Sequence, residues 1–351
     1  MKNRRVDWID TAKGLGIWLV AAGHVLSAGG ESGIAERVIW TFHMPLFFYL
    51  SGLTAKTANG VDFESDLRKS IRSVVVPYFV FSILSIVLYS IKKTPNLSRF
   101  GQQMLEMMYG VSGNEHWMSY NIPLWFFTCL FCVRIFFLGL SIWLKKPLHV
   151  LVATLLVAAA AHALFTLSIP RLPWNLDVAL CALVFYSAGH AWGSRELTAD
   201  SIPWIGRLIS CLIFAAIVYW VSLWNGRVDM NCRGFGNPLL FYIGAYSGII
   251  AVSFIAKSLS HVRWLVAVGI ASVVIFPMHG LIDYFIPARV LSILHWYAYR
   301  ATGSNTASAM VFGVFEVAFC MPFFWAFMRY APFLIGRVRI READGTSSVA
   351  S

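Results

Sequence analysis

DTAKGLGIWLVAAGHV (residues 10–25) and TFHMPLFFYLSG (residues 41–52) decide the fold. Each is an apolar run with one histidine inside it, and a short polar stretch joins them. The pattern predicts two membrane helices. Lys13 and His24 are eleven residues apart, which at 100° per residue brings them within roughly 20° of the same helix face and about 16 Å apart along the axis. One face therefore carries a cation near a membrane edge and an imidazole deep in the apolar layer. Ionisable groups are costly inside a bilayer and so mark a site or a pathway. The bland alternative is a snorkelling lysine and a core histidine that only bonds a neighbouring helix.

Outward from this stretch the composition agrees. The chain has 351 residues, 58% hydrophobic and 13% charged, with a mean hydropathy of +0.67. That excludes a soluble globular domain and predicts an all-α, polytopic helical bundle in the lipid bilayer. The net charge of +11 follows from the excess of Lys and Arg in cytoplasmic segments of membrane proteins. No basic stretch is interleaved with exposed aromatics as nucleic-acid binding requires, so nucleic acid is not expected as a partner. Five of the six cysteines fall in apolar runs and read as core residues, including the Cys129–Cys132 pair inside LWFFTCLFCVRIFF. Asp7, Asp10 and Lys13 interrupt the basic N-terminal approach, and a second apolar segment follows at once. The first helix reads as retained, not as a cleaved signal.

Runs near the spanning length of about 20 residues recur at 13–30, 38–55, 73–91, 122–144, 149–167, 176–193, 205–223, 239–256, 264–285 and 308–330. Ten spans put both termini on one side. With the N-terminus inside, the inner segments hold 18 Lys and Arg and the outer segments 9, which predicts cytoplasmic termini. Residues 286–300 are apolar but short and read as an interfacial or re-entrant segment. The connection 92–121 reads as a short amphipathic helix over the bundle mouth. Residues 1–336 form the transmembrane domain, and 337–351 a basic, then disordered, tail. No internal repeat is evident, so the inverted-repeat signature of many transporters is missing.

The ten-span arrangement brings His24, His43 and His279 to a similar depth in the outer half of the bundle, with Trp125, Asp177, Asn237 and Asp283 near the same rim. No two of these histidines share a helix at ligand spacing, so acid–base chemistry suits them better than a metal, and none is expected. His279 and Asp283 are four apart on one predicted helix, where the carboxylate can orient the imidazole or simply face water. Arg134 and Glu316 lie deep in spans four and ten. Each needs a partner, either the other residue or, for Arg134, an anionic ligand.

These residues carry a resemblance. The opening, a basic residue followed ten residues later by Gly23-His24, and FHMPLFFYLSG on the second helix resemble acyltransferase family 3, the integral-membrane O-acyltransferases. Weaker echoes are PLWFFTCLF (123–131), LDVALCALVFYSAGH (176–190), NPLLFYIGAYSG (237–248) and GIASVVIFPMHGLI (269–282). The chain is most similar to the branch that acetylates exopolysaccharide sugars, such as xanthan acetyltransferases and fucose 4-O-acetylase relatives. Lysine stands at position 13 where much of the family has arginine; it keeps the charge but loses the planar fork.

The resemblance implies acetyl transfer from cytoplasmic acetyl-CoA, a co-substrate, to a sugar hydroxyl of a polysaccharide or a polyprenol-linked oligosaccharide, in a bacterial inner membrane. Lys13 would bind the phosphates of coenzyme A. His24 would be the general base or an acyl carrier, and His43 and His279 would bind or orient the acceptor. Trp125, Asp177, Asn237 and Arg134 complete the candidate substrate contacts. The competing expectation is a glycolipid or small-solute transporter or flippase that performs no acyl transfer.

Overall fold

The computed structural model describes residues 6–28, 33–55, 63–92, 97–113, 117–167, 169–193, 203–341 and 347–350, with 338–341 and 347–350 described by backbone alone. The fold is an all-α membrane bundle. Its helices are α1 (Asp7–Ala28), α2 (Ile34–Leu53), α3 (Phe63–Ser70), α4 (Val76–Lys92), α5 (Leu97–Tyr109), α6 (Trp125–Trp143) and α7 (Pro147–Phe165). There follow α8 (Leu176–Gly193), α9 (Trp204–Asn225), α10 (Pro238–Ser258), α11 (Arg263–His279), α12 (Ile282–Phe285), α13 (Ala288–Thr302) and α14 (Asn305–Tyr330). The tail expected to be disordered carries β1 (Val338–Arg341), paired antiparallel with β2 (Ser347–Ala350).

Among the described residues seven helical stretches are long and apolar enough to cross a membrane. Helices also stand at the other three expected positions. α11 is apolar but has only 17 residues. α1 and α2 have the length, with 22 and 20 residues, but carry Asp7, Asp10, Lys13, Glu36 and Arg37. The helices that fall short in apolarity are those bearing the polar residues singled out above, and their burial inside the protein compensates. By contrast α9 turns Leu208, Leu212, Ile213 and Leu223 outward, with exposed Trp204 and Trp224 at its two ends. That is the profile of a lipid-facing helix with interfacial aromatic anchors.

One expectation is corrected. The predicted span 264–285 is not continuous: α11 ends at His279, Leu281 N–H bonds the Met278 carbonyl, and α12 is a separate short helix. Pro277 and Gly280 supply the reason, since a proline inside a helix removes a ladder donor and a glycine helps the chain leave it. His279 and Asp283 therefore do not share a helix face, and the Asp283 side chain lies outside the described residues. The expected interfacial segment is α13, a 15-residue helix with no buried residue. The helix expected over the mouth is α5, which buries Gln103, Glu106 and Met107 and exposes Leu105 and Met108.

The chain divides into two compact units. The first comprises residues 1–56, 184–272 and 288–318, the second 57–183, 273–287 and 319–351. In the first, α2 packs against α1, α9 and α10, and Thr41 to Leu50 are all buried. Glycines set these distances. An alanine Cβ at Gly269 would collide with the Asp10 carbonyl on α1, and one at Gly189 with the Tyr49 carbonyl on α2. Small residues of this kind let helix backbones touch in a membrane, where packing, not water exclusion, holds helices together. In the second unit α3 runs into α4 through a π-turn, Ile71–Val75. That turn places Ser73 opposite α6, where its Oγ accepts a 2.8 Å hydrogen bond from Arg134.

Candidate active site

The first unit assembles a connected group of side chains from α1, α2 and the segment after α9. Glu36, Trp40 and His43 stand at i, i+4 and i+7 of α2 and so share one face. Trp40 meets His24 of α1 edge-on at 5.6 Å between ring centroids, and His43 edge-on at 5.3 Å. The indole thus sits between the two imidazoles. Its face is covered by Arg227, whose Cζ lies 4.0 Å from the ring centroid. Arg227 in turn reaches Glu36 Oε1 at 3.1 Å and Asp229 Oδ2 at 4.0 Å. Ser27 Oγ donates to the same Glu36 oxygen at 2.6 Å. Glu36 is buried at 2% exposure, and both contacts stabilise its charge there.

His43 is buried, and its Nδ1 lies 2.9 Å from the Ile39 carbonyl. A carbonyl only accepts, so Nδ1–H donates and the neutral ring carries its lone pair on Nε2. His24 is half-buried, open enough to meet a ligand. Eleven residues along the same unbroken helix, Lys13 Nζ lies 3.4 Å from Asp10 Oδ1 and is about a quarter exposed. Lys257 Nζ stands 5.2 Å from the Trp8 ring nearby in sequence on α1's first turn. The N-terminal end of α1 therefore has its own Lys13 and, from α10, Lys257 beside Trp8, each moderated by a neighbour but not sealed from solvent.

The remaining candidates are placed as follows. Asn237 caps α10: its Oδ1 accepts from the N–H of Leu239 and Leu240 at 3.0 and 3.2 Å. A ligand would find its amide nitrogen only. The second unit holds Trp125, Arg134, Asp177 and His279. Asp177 is buried and takes a 3.0 Å bond from Arg171 Nε. Arg171 also donates to Asn175 Oδ1, and Asn175 donates to the carbonyls of Gly110 and Trp125. Trp174 and Asn175 both have positive φ, 56° and 54°, and this network holds them there. Trp125 and Asp177 thus belong to one polar network. His279 Nδ1 approaches the Ile275 carbonyl at 3.3 Å, the same i−4 arrangement as His43.

Sequence reasoning missed Trp40, Glu36, Arg227 and Arg171. The helical spacing of Glu36, Trp40 and His43 was a usable signal for the first two. Arg227 lies in a loop 184 residues from His43, and no local pattern points to it. Cys129 and Cys132 are buried free thiols, as expected of core residues.

Residues 6–329 match the family model of an acyltransferase domain, that of acyltransferase family 3. The chain belongs to that family. No curated protein and no solved structure matches it. As a member of the family it is a multi-pass membrane acyltransferase, and the helix pair α1–α2, on which the opening resemblance rested, is the pair that carries the His24–Trp40–His43 group.

Proposed function

We propose that this acyltransferase moves an acetyl group from cytoplasmic acetyl-CoA to a hydroxyl of an exopolysaccharide sugar or its polyprenol-linked oligosaccharide precursor, in a bacterial inner membrane. The observation that carries the reading is the placement of His24. It is half-buried, braced by Trp40 beside His43, and joined to Lys13 by about 16 Å of continuous helix. An extended pantetheine arm covers a distance of that order. Lys13 and Lys257 supply positive charge for the phosphates of the donor. The His24 imidazole takes the proton of the acceptor hydroxyl as its oxygen attacks the thioester carbonyl. The carbon–sulfur bond breaks, the sulfur leaves as thiolate, and the imidazolium returns the proton to it. His43, with Nδ1 held by the backbone, presents Nε2 to orient the acceptor hydroxyl. The family membership supports acyl transfer; the acetyl group, the coenzyme A donor and the sugar acceptor are this proposal's own.

The test is purified protein in lipid nanodiscs with radiolabelled acetyl-CoA and lipid-linked oligosaccharide. Wild type should form labelled, base-labile product, and His24→Ala should lose about 10²–10⁴-fold in rate. Equal turnover in the two would remove His24 from the chemistry. No turnover in either, with transport of the lipid-linked sugar intact, would replace the acetyl-transfer reading with a transporter.

A further inference from the structure

α13 is a 15-residue helix without one buried residue, yet it is not loose. Its half-buried residues are Leu291, Leu294, His295 and Ala298, spaced i, i+3, i+4 and i+7 and so on one helix face. That face lies on α14, where the His295 ring meets Phe312 at 5.9 Å between centroids and the His295 carbonyl accepts from Ser308 Oγ at 3.3 Å. The opposite face carries Arg289, Ile293, Trp296 and Arg300, all exposed. At 100° per residue these four fall within about 60° of one another, and the two arginines stand about 16 Å apart along the axis. Val290 and Tyr297, also exposed, flank them on one side.

Charge and apolar area together name what covers this face. Residues 288–302 contain no aspartate or glutamate, and among the described residues neither arginine pairs with a carboxylate. Arg300 instead stacks on Trp296, its Cζ 5.1 Å from the ring centroid. Water alone would leave Val290, Ile293, Trp296 and Tyr297 without an apolar neighbour. Hydrocarbon alone would strip two guanidiniums of their solvent, at high cost. A second copy of this face would bring four arginines together with no acid between them. The bilayer interface satisfies both kinds of group: the apolar side chains reach the acyl boundary while the arginines meet headgroup phosphates. Tryptophan and tyrosine favour that depth, and a guanidinium grips a phosphate through two parallel N–H donors. Two cations with no anion beside them favour lipids of net negative charge over zwitterionic ones.

We infer that the Arg289–Trp296–Arg300 face of α13 lies in the membrane plane and binds the headgroups of acidic phospholipids. This surface stands apart from the acetyl-transfer reading. The test uses the full chain in phosphatidylcholine nanodiscs, with Cys211 and Cys232, the two cysteines that are not buried, replaced by serine. Tyr297→Cys then carries a bimane fluorophore beside the arginines, and 5-doxyl phosphatidylglycerol or 5-doxyl phosphatidylcholine is the quencher. Half-quenching should need at least about fivefold less of the glycerol lipid, the factor that one arginine near an acidic surface supplies. Arg289→Gln with Arg300→Gln should bring the two lipids to the same value. Arg289→Lys with Arg300→Lys, which keeps the charge, should retain most of the preference, and unchanged melting temperatures should show that these exposed positions leave the fold intact. Quenching by neither lipid overturns the assignment, since water or protein then covers α13. Equal quenching by both lipids, or a preference that survives the double glutamine variant, overturns it too. If one equivalent of polyprenyl diphosphate relieves the phosphatidylglycerol quenching, the arginines hold the phosphate of a lipid-linked acceptor, and the phospholipid assignment fails. Every outcome is read without acetyl transfer, so a failed acetyltransferase assay leaves this test intact.

Discussion

At the residue scale, Trp40 separates positioning from chemistry. It touches both imidazoles and lies under Arg227, so it fixes where the rings stand without taking a proton itself. Trp40→Leu should lower kcat by about 10-fold or more, because misplacement of reacting groups by about an ångström costs on the order of 10²-fold. The KM for acetyl-CoA should hold, since Lys13 is unaffected, and Trp40→Phe should recover part of kcat by restoring one ring edge. A uniform loss of folded protein in both variants would instead make Trp40 a packing residue. Glu106 offers a second measurement. Its carboxyl is raised in the folded state by burial, so the folded protein binds the proton more tightly than the unfolded chain. The stability it contributes is fully present at pH below the ordinary carboxylate value and is lost as pH rises through the folded value. The wild-type melting temperature should fall over that window, and Glu106→Gln, which cannot ionise, should flatten the fall.

At the scale of elements, glycine seams decide which helices touch. Gly14 on α1 and Gly269 on α11 lie so close to the facing backbone that a Cβ at either would collide with a carbonyl, of Leu265 and Asp10 respectively. Gly52, Gly189 and Gly193 do the same between α2 and α8. Gly269→Ala must push two backbones apart and should cost about 1–3 kcal/mol, seen as a lowered melting temperature. Gly139 on α6 has nothing within 4 Å of the Cβ position. Gly139→Ala should be neutral or stabilise by roughly 0.5–1 kcal/mol through helix propensity alone. If the two substitutions shift the melting temperature alike, the close approach of α1 and α11 is wrong.

At the scale of the whole molecule, the charge bias of 18 against 9 predicts that both termini are cytoplasmic, the side from which the proposed donor would arrive. A fluorescent protein fused to the C-terminus should fluoresce and a fused alkaline phosphatase should stay inactive, because one folds in the cytoplasm and the other needs the oxidising side. The reverse result would turn Lys13 away from cytoplasmic acetyl-CoA and defeat the proposed route along α1.

Local pattern was enough for a large part of this protein. Apolar runs of spanning length place a helix at each of the ten expected positions, because in a bilayer the backbone has no other partner than itself. The eleven-residue spacing of Lys13 and His24 is a property of one helix and survives into the structure for that reason. The break after His279 was written locally too, in Pro277 and Gly280, but hydropathy averages over a window and does not see a turn. What tertiary structure alone decided is partnership. Arg227 reaches Glu36 and Trp40 from a loop far along the chain, Asn237 spends its oxygen on a helix cap, and Asp177 finds Arg171. The Asn121 amide reaches Ser85 and the Pro277 carbonyl only when α4, α11 and a loop pack together. A sequence states which groups a chain carries; a buried hydrogen bond depends on distances of 3 Å between groups distant in sequence, and only packing sets those.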